Sequence, residues 1–233
     1  MLQPLIYIPA AGGTSPLLTN LVAYWKLDES SGTRIDSHGS NNLTDNNTVG
    51  SATGKIGNAA SFVSANEEYL SIPTSSFSAS FTDEASLNLW VRRDLDIPLT
   101  PATSAFLKLE ADAASDNHYP FTDNNDYIRI FRTSRFTINP RLSGVPDRTV
   151  WHMLTITTTP GTNGYKIYQN GILEYQNSGQ ATVSLGTTLF FGTGTAAFYY
   201  GGLFDEVGLW SRALTASEIT QLYNSGSGLT YPF

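Results

Sequence analysis

Over residues 85–91 apolar side chains take every second place, Ala85, Leu87, Leu89 and Val91, with Ser86, Asn88 and Trp90 between them. A period of two belongs to a strand with two distinct faces, and the regularity here predicts a central strand. The same spacing predicts a first strand over 21–27, with Leu21, Ala23, Trp25 and Leu27 on one face, and a strand pair over 59–63 and 69–72. Further strands are predicted over 105–109, 127–138, 151–158 and 188–192. Residues 165–169 and 172–175 flank Asn170-Gly171, the strongest short hairpin signal because both turn residues tolerate positive φ. Residues 28–53, rich in Asn and Gly, predict a long loop holding one short strand at most.

Residues 201–226 change period part of the way along. Leu203, Asp205, Val207 and Leu209 alternate with Phe204, Glu206, Gly208 and Trp210, the pattern of a strand. Thr215 then precedes Glu218 by three places, the spacing of a capping box, with Leu214 and Ile219 placed as a hydrophobic staple. Ile219, Leu222 and Tyr223 form one apolar face and Gly226 is the expected left-handed stop. About a dozen strands and one short helix predict an all-β domain of two packed antiparallel sheets. There is no internal repeat and no domain break after residue 20.

Three motifs carry a family resemblance: YWKLDESSG at 24–32, GKIGNAASF at 54–62 and FDEVGLWSRALTASEI at 204–219. In this order and spacing, over about residues 21–226, the chain resembles the laminin-G-like modules of the concanavalin A-like jelly-roll class. The resemblance implies a jelly-roll sandwich of two antiparallel sheets over residues 21–233. The class includes glycosidases as well as binding modules, so catalysis has to be weighed, and many of its members hold a calcium at the rim of the sandwich.

Composition narrows the function further. Charged residues are 14% and aromatics 12% of 233 residues, a balance suited to strands and turns. The net charge is −7 and no basic run exceeds Arg92-Arg93, so the basic stripe that nucleic-acid binding requires is missing. Without cysteine, disulfides, thiolate metal sites and cysteine nucleophiles are excluded. No apolar run reaches the roughly 18 residues of a membrane span. Residues 1–20 contain Pro4, Pro9 and Pro16 and no charge, which predicts an extended arm in place of a secretory signal. An extracellular-type module without a visible export signal leads to the expectation of a virion-displayed protein, the arm docking on a capsid or neighbouring subunit. The alternative is a module of a larger secreted protein.

Catalysis finds no support in the residue pattern. A retaining glycosidase needs two carboxyl groups about 5–5.5 Å apart. The E-x-D-x-E acids of the laminarinase-like branch are absent, and on a regular strand the adjacent Asp205 and Glu206 would leave opposite faces. His38, His118 and His152 share no ligand spacing. Asp205, on the apolar phase of its strand, needs a partner if buried. Backbone amides of a neighbouring loop, Arg212 or Lys26 could serve, or calcium could, with Asp28, Asp36, Glu29 and Asn41 supplying further oxygens. The acidic, aromatic loop at 112–126 offers a sugar platform in Tyr119 and Phe121 beside Asp116, Asn117, His118 and Asp123. Tyr199 and Tyr200, beside Gly201-Gly202, form a second such candidate. The expected ligand is a glycan or another cell-surface molecule, and the rival reading is a structural decoration protein.

Overall fold

The computed structural model describes residues 15–79, 84–93, 104–105, 107–108, 119–122, 128–131, 150–176, 180–181, 188–195 and 198–233. In chain order the strands are β1 (Leu21–Trp25), β2 (Thr44–Asn46), β3 (Gly50–Thr53), β4 (Asn58–Phe62), β5 (Tyr69–Pro73), β6 (Ala85–Arg93), β7 (Ser104–Ala105), β8 (Leu107–Lys108), β9 (Tyr119–Thr122) and β10 (Ile128–Phe131). They continue as β11 (His152–Thr158), β12 (Gly161–Thr162), β13 (Tyr165–Gln169), β14 (Ile172–Gln176), β15 (Gln180–Ala181), β16 (Thr188–Phe191), β17 (Thr193–Thr195), β18 (Phe198–Tyr199) and β19 (Gly202–Trp210), followed by helix α1 (Ala216–Tyr223).

An eight-stranded antiparallel sheet runs β14-β13-β11-β6-β19-β4-β3, with β1 also paired to β19. A second sheet runs β2-β5-β16-β8, and smaller ladders join β10-β9-β7, β12-β15 and β17-β18. The predicted central strand is β6, with Ala85, Leu87, Leu89 and Val91 in the core between the sheets. Leu70, Ile72, Leu189 and Phe191 meet them from the second sheet. The Asn170-Gly171 hairpin forms with φ of 52° and 82°. The strands over 59–63 and 69–72 exist but do not pair: β4 joins the large sheet and β5 the second one. Two short strands, β2 and β3, stand in the loop expected to hold one at most.

A second apolar layer covers the outer face of the large sheet. Tyr24, Trp90, Met153, Tyr168 and Trp210 lie there under Leu214, Ile219 and Leu222 of the helical segment and under Leu17. Burying each such side chain is worth roughly 1.5–3 kcal/mol. The capping box forms in both directions, Glu218 N donating to Thr215 Oγ1 at 3.3 Å and Thr215 N to Glu218 Oε2 at 2.8 Å. The helix stops earlier than expected, because Asn224 already turns left-handed at φ 47°, ahead of Gly226.

The arm also ends earlier than expected. Residues Pro16–Leu18 form a 3-10 turn, Leu17 is buried, and its carbonyl accepts Trp210 Nε1 at 2.7 Å. Arg212 bonds to the carbonyls of Pro16 and Thr19 at 2.9 Å while pairing with Glu218. Residues 15–20 therefore pack on their own domain; residues 1–14 lie outside the described residues.

Candidate functional site

The conspicuous acidic pair sits where the edge of β19 changes partner. Residues 202–204 pair with β4 and residues 207–210 with β1, so Asp205 and Glu206 fall in the gap between the two neighbours. Glu206 adopts φ 50° and the register with β6 slips between Asp205 and Gly208. This is a β-bulge, and one extra residue exchanges the two faces of a strand. Phe204, not Asp205, therefore shares the inner face with Val207 and Leu209, and Asp205 pairs with Trp90 on the outer layer. Asp205 does share a face with Leu203, as the alternation predicts, but that face is the outer one, and the bulge separates both from Val207 and Leu209.

The loop between β3 and β4 fills the gap. Asp205 Oδ2 accepts Lys55 N at 2.7 Å and Ile56 N at 2.9 Å, so backbone amides of a neighbouring loop are its partner. Asp28 holds the same loop through Asn58 N at 2.7 Å, and Gly57, at φ 61°, has room for no side chain because a Cβ would stand 2.4 Å from Asp28 Oδ1. Glu206 Oε2 accepts the Tyr24 hydroxyl at 2.6 Å. Asp205 and Glu206 are 0% and 1% exposed, and Asp205 Oδ1 and Glu206 Oε1 have no hydrogen-bond partner. Burial, against the pull of the Ile56 and Lys55 amides and with the Glu206 charge, pushes Asp205 up to about 8. Burial likewise outweighs the Tyr24 and Thr230 hydroxyls and takes Glu206 up to about 7. At neutral pH the pair carries less than its two formal charges.

The expected calcium ligands do not assemble. Asp36 spends both oxygens on β1 and its own loop, Oδ1 on Tyr24 N and His38 N and Oδ2 on Asn41 N and Asn41 Nδ2. Asp28 and Asp205 are each engaged by the 54–58 loop, and among the described residues no three acidic or histidine side chains converge to hold an ion. The set Asp28, Asp36 and Asp205 does not fit a metal. Its members organise loops.

Of the expected sugar-loop residues, Asp116, Asn117, His118 and Asp123 lie outside the described residues. Tyr119 and Phe121 belong to β9, where they pair with Phe131 and Arg129 of β10. Tyr199 and Tyr200 part company. Tyr200 is fully buried, stacked on Phe204 at 4.5 Å with its hydroxyl donated to Arg92 O at 2.9 Å, so it is a core residue and not an exposed platform. Tyr199, one place along the strand, takes the opposite face and is half-buried.

That opposite face carries an aromatic row that the sequence reading missed. Tyr69 of β5 stands between Phe190 of β16, with ring centroids 6.0 Å apart, and Tyr199, at 6.4 Å. The rings are tilted by 55° and 33°. All three are half-buried. The alternation that sends Leu70, Ile72, Leu189 and Phe191 into the core sends Tyr69, Ser71 and Phe190 outward, which is the signal that could have found them. Polar groups flank the row: Asn46 Nδ2 donates to Ser71 Oγ at 3.0 Å and Thr44 O at 3.2 Å, which leaves its Oδ1 to accept from a ligand. Asn47 Nδ2 holds the Glu67 carbonyl at 2.8 Å. Burial first, and then the Glu67 carboxylate, raise the Tyr199 hydroxyl above its ordinary pKa, so it stays a donor at neutral pH.

Known proteins of this shape are numerous, although no curated protein matches the sequence. Domain 4 of AbnA, a GH43 extracellular arabinanase from Geobacillus stearothermophilus solved with arabinotriose, is 22% identical. That match covers 87% of this chain and 97% of the domain, with a TM-score of 0.67. Trypanosoma rangeli sialidase, in complex with the inhibitor DANA, is 14% identical over 96% of this chain and 36% of its own, with a TM-score of 0.68. The binding domain of Paraclostridial Mosquitocidal Protein 1 is 18% identical over 90% and 53%, with a TM-score of 0.62. The chain thus spans about a third of the sialidase and about half of the toxin binding domain, and at these identities the likeness is one of fold. A model described as the concanavalin A-like lectin/glucanases superfamily matches residues 64–220, and the chain belongs to this laminin-G-like family.

Proposed function

We propose that the protein is a non-catalytic binding module that recognises a glycan through the row Phe190, Tyr69 and Tyr199. The observation that carries this reading is the row itself, two half-buried rings on the outer face of the second sheet and a third on the adjoining β17-β18 hairpin, with Asn46, Ser71 and Glu67 around them. Sugar rings present apolar faces edged by hydroxyls, and a site for them pairs aromatic surface with a few placed polar groups. The arabinotriose complex of the similar arabinanase domain supports the reading, as does the toxin binding domain of the same fold. The paired carboxyls Asp205 and Glu206 do not argue for hydrolysis, because both are buried beneath the opposite outer layer. The setting we propose is extracellular or a virion surface. The rival role in particle assembly rests on residues 1–14, since residues 15–20 are taken up by the domain itself.

A glycan array probed with the wild-type chain and with Tyr69→Ala and Phe190→Ala tests this. Selective binding that falls at least tenfold in either variant, with unchanged circular dichroism and little change in Tm, is the expected result. Wild-type silence, or binding indifferent to both substitutions, would sink it.

A further inference from the structure

We infer that the ligand of this face is an interior run of at least three linked sugars, lying side-on across the strands, and not a single terminal residue. The inference rests on the glycan reading above and adds the form of the ligand. Three features of the site point to it.

The rings come from three separate segments, β5, β16 and β18, and stand in sequence with Tyr69 in the middle. Each ring keeps part of its surface exposed, so a ligand lying on all three must present consecutive apolar faces, which a chain of sugars supplies and a lone monosaccharide does not. The rings also project from the pleated surface of two adjacent strands and a neighbouring hairpin. A sheet face gives lateral contact along a chain. Recognition of a terminus instead needs walls that close around one ring, with buried polar groups that count its hydroxyls. Finally, the polar groups stand beside the row: Asn46 and Ser71 are bonded to each other next to Tyr69, and Glu67 lies at Tyr199. Hydroxyls along the edge of a bound chain meet them while its flat faces cover the rings.

The middle and end positions then differ in a way that can be measured. Tyr69 contributes to every occupied register, whereas Tyr199 is reached only by a chain long enough to extend past Tyr69. The probes are soluble arabinan, xylan, β-1,3-glucan and mannan, followed by isothermal titration with the mono- to hexasaccharides of whichever polymer binds, run beside the glycan array. Affinity is expected to rise at least tenfold from disaccharide to tetrasaccharide and then level, and to be indifferent to reduction of the terminal sugar. Tyr199→Ala is expected to weaken the tetrasaccharide at least fivefold and leave the disaccharide within twofold, while Tyr69→Ala weakens both. A monosaccharide that competes as well as the tetrasaccharide, or binding that depends on a free chain end, overturns the inference and leaves the glycan reading standing. Silence toward every polymer and every arrayed glycan overturns both.

Discussion

The outer faces of the two sheets carry similar aromatic residues and are finished in opposite ways. On the large sheet Tyr24, Trp90 and Trp210 are almost wholly buried, covered by α1, by Leu17 and by the C-terminal tail, where Tyr231 and Phe233 pack against Tyr24 at 5.8 and 5.2 Å. Tyr69 and Phe190 on the second sheet and Tyr199 on the adjoining β17-β18 hairpin remain half-buried. Among the described residues, an outward-facing aromatic side chain is buried where a further layer crosses it and keeps part of its surface exposed where none does. The most recognisable motif of the chain, FDEVGLW, is buried along its whole length, with Phe204, Val207 and Leu209 in the core between the sheets and Trp210 under the covered outer layer. The family motif and the row proposed to bind lie apart.

The contrast can be broken first at Trp210. Trp210→Ala removes a fully buried indole and its bond to Leu17 O, and is expected to destabilise the domain by about 3–5 kcal/mol. Denaturant unfolding measures this, and any glycan affinity of the chain that remains folded should be unchanged. A loss of affinity in the folded fraction would show that the two faces are coupled.

Proton linkage sharpens the contrast at the next level. Asp205 and Glu206 have ordinary values of 3.8 and 4.5 in the unfolded chain and stand at about 8 and about 7 in the fold. Between these limits the folded chain binds more protons at this pair than the unfolded one, so the pair's contribution to stability is fullest below about pH 4, falls as pH rises and levels above about pH 8. Each tenfold difference in proton affinity is worth about 1.4 kcal/mol, so the pair's loss is expected to be several kcal/mol, and the double variant Asp205→Asn, Glu206→Gln should flatten it. Urea midpoints at pH 5 and pH 8.5 decide the matter: an undiminished slope in the double variant would place the titrating groups elsewhere.

The smallest effect lies at the helix that forms the lid of the covered face. Thr215→Ala removes the Oγ1 acceptor of the Glu218 amide and should lower stability by about 1 kcal/mol. Thr215→Ser, which keeps the acceptor, should restore most of that, and equal losses in both would count against the cap.

Much of the fold was legible because alternation and capping are local. The phase of β6, the Asn170-Gly171 turn and the Thr215 capping box each depend on residues within a few places of one another. Asp205 was read as a buried carboxylate in need of a partner, with loop amides among the alternatives, and Lys55 and Ile56 provide them. Its face was misread because a bulge adds one residue to a strand without changing its composition, and the gap between β4 and β1 that invites the bulge is a tertiary fact. Tyr199 stands among the sequence candidates, but its companions in the row do not. Tyr69 and Phe190 are far apart in sequence, and only the pairing of β5 with β16 makes them neighbours. Tyr200 shows the cost of reading two adjacent tyrosines as one exposed pair, since a strand must send them to opposite sides.

The place of β19 has a bearing on how the molecule is made. Among the described strands it comes last in chain order, yet it lies in the middle of the large sheet, with β6 on one side and β4 and β1 on the other. Until Gly202–Trp210 has emerged, the β14-β13-β11-β6 half and the segments β1, β3 and β4 have no strand to join them. The nascent domain must carry both halves incomplete until then. Such a topology is slow to close and leaves sheet edges exposed, so demand on chaperones should concentrate before Gly202–Trp210 emerges and fall once it has.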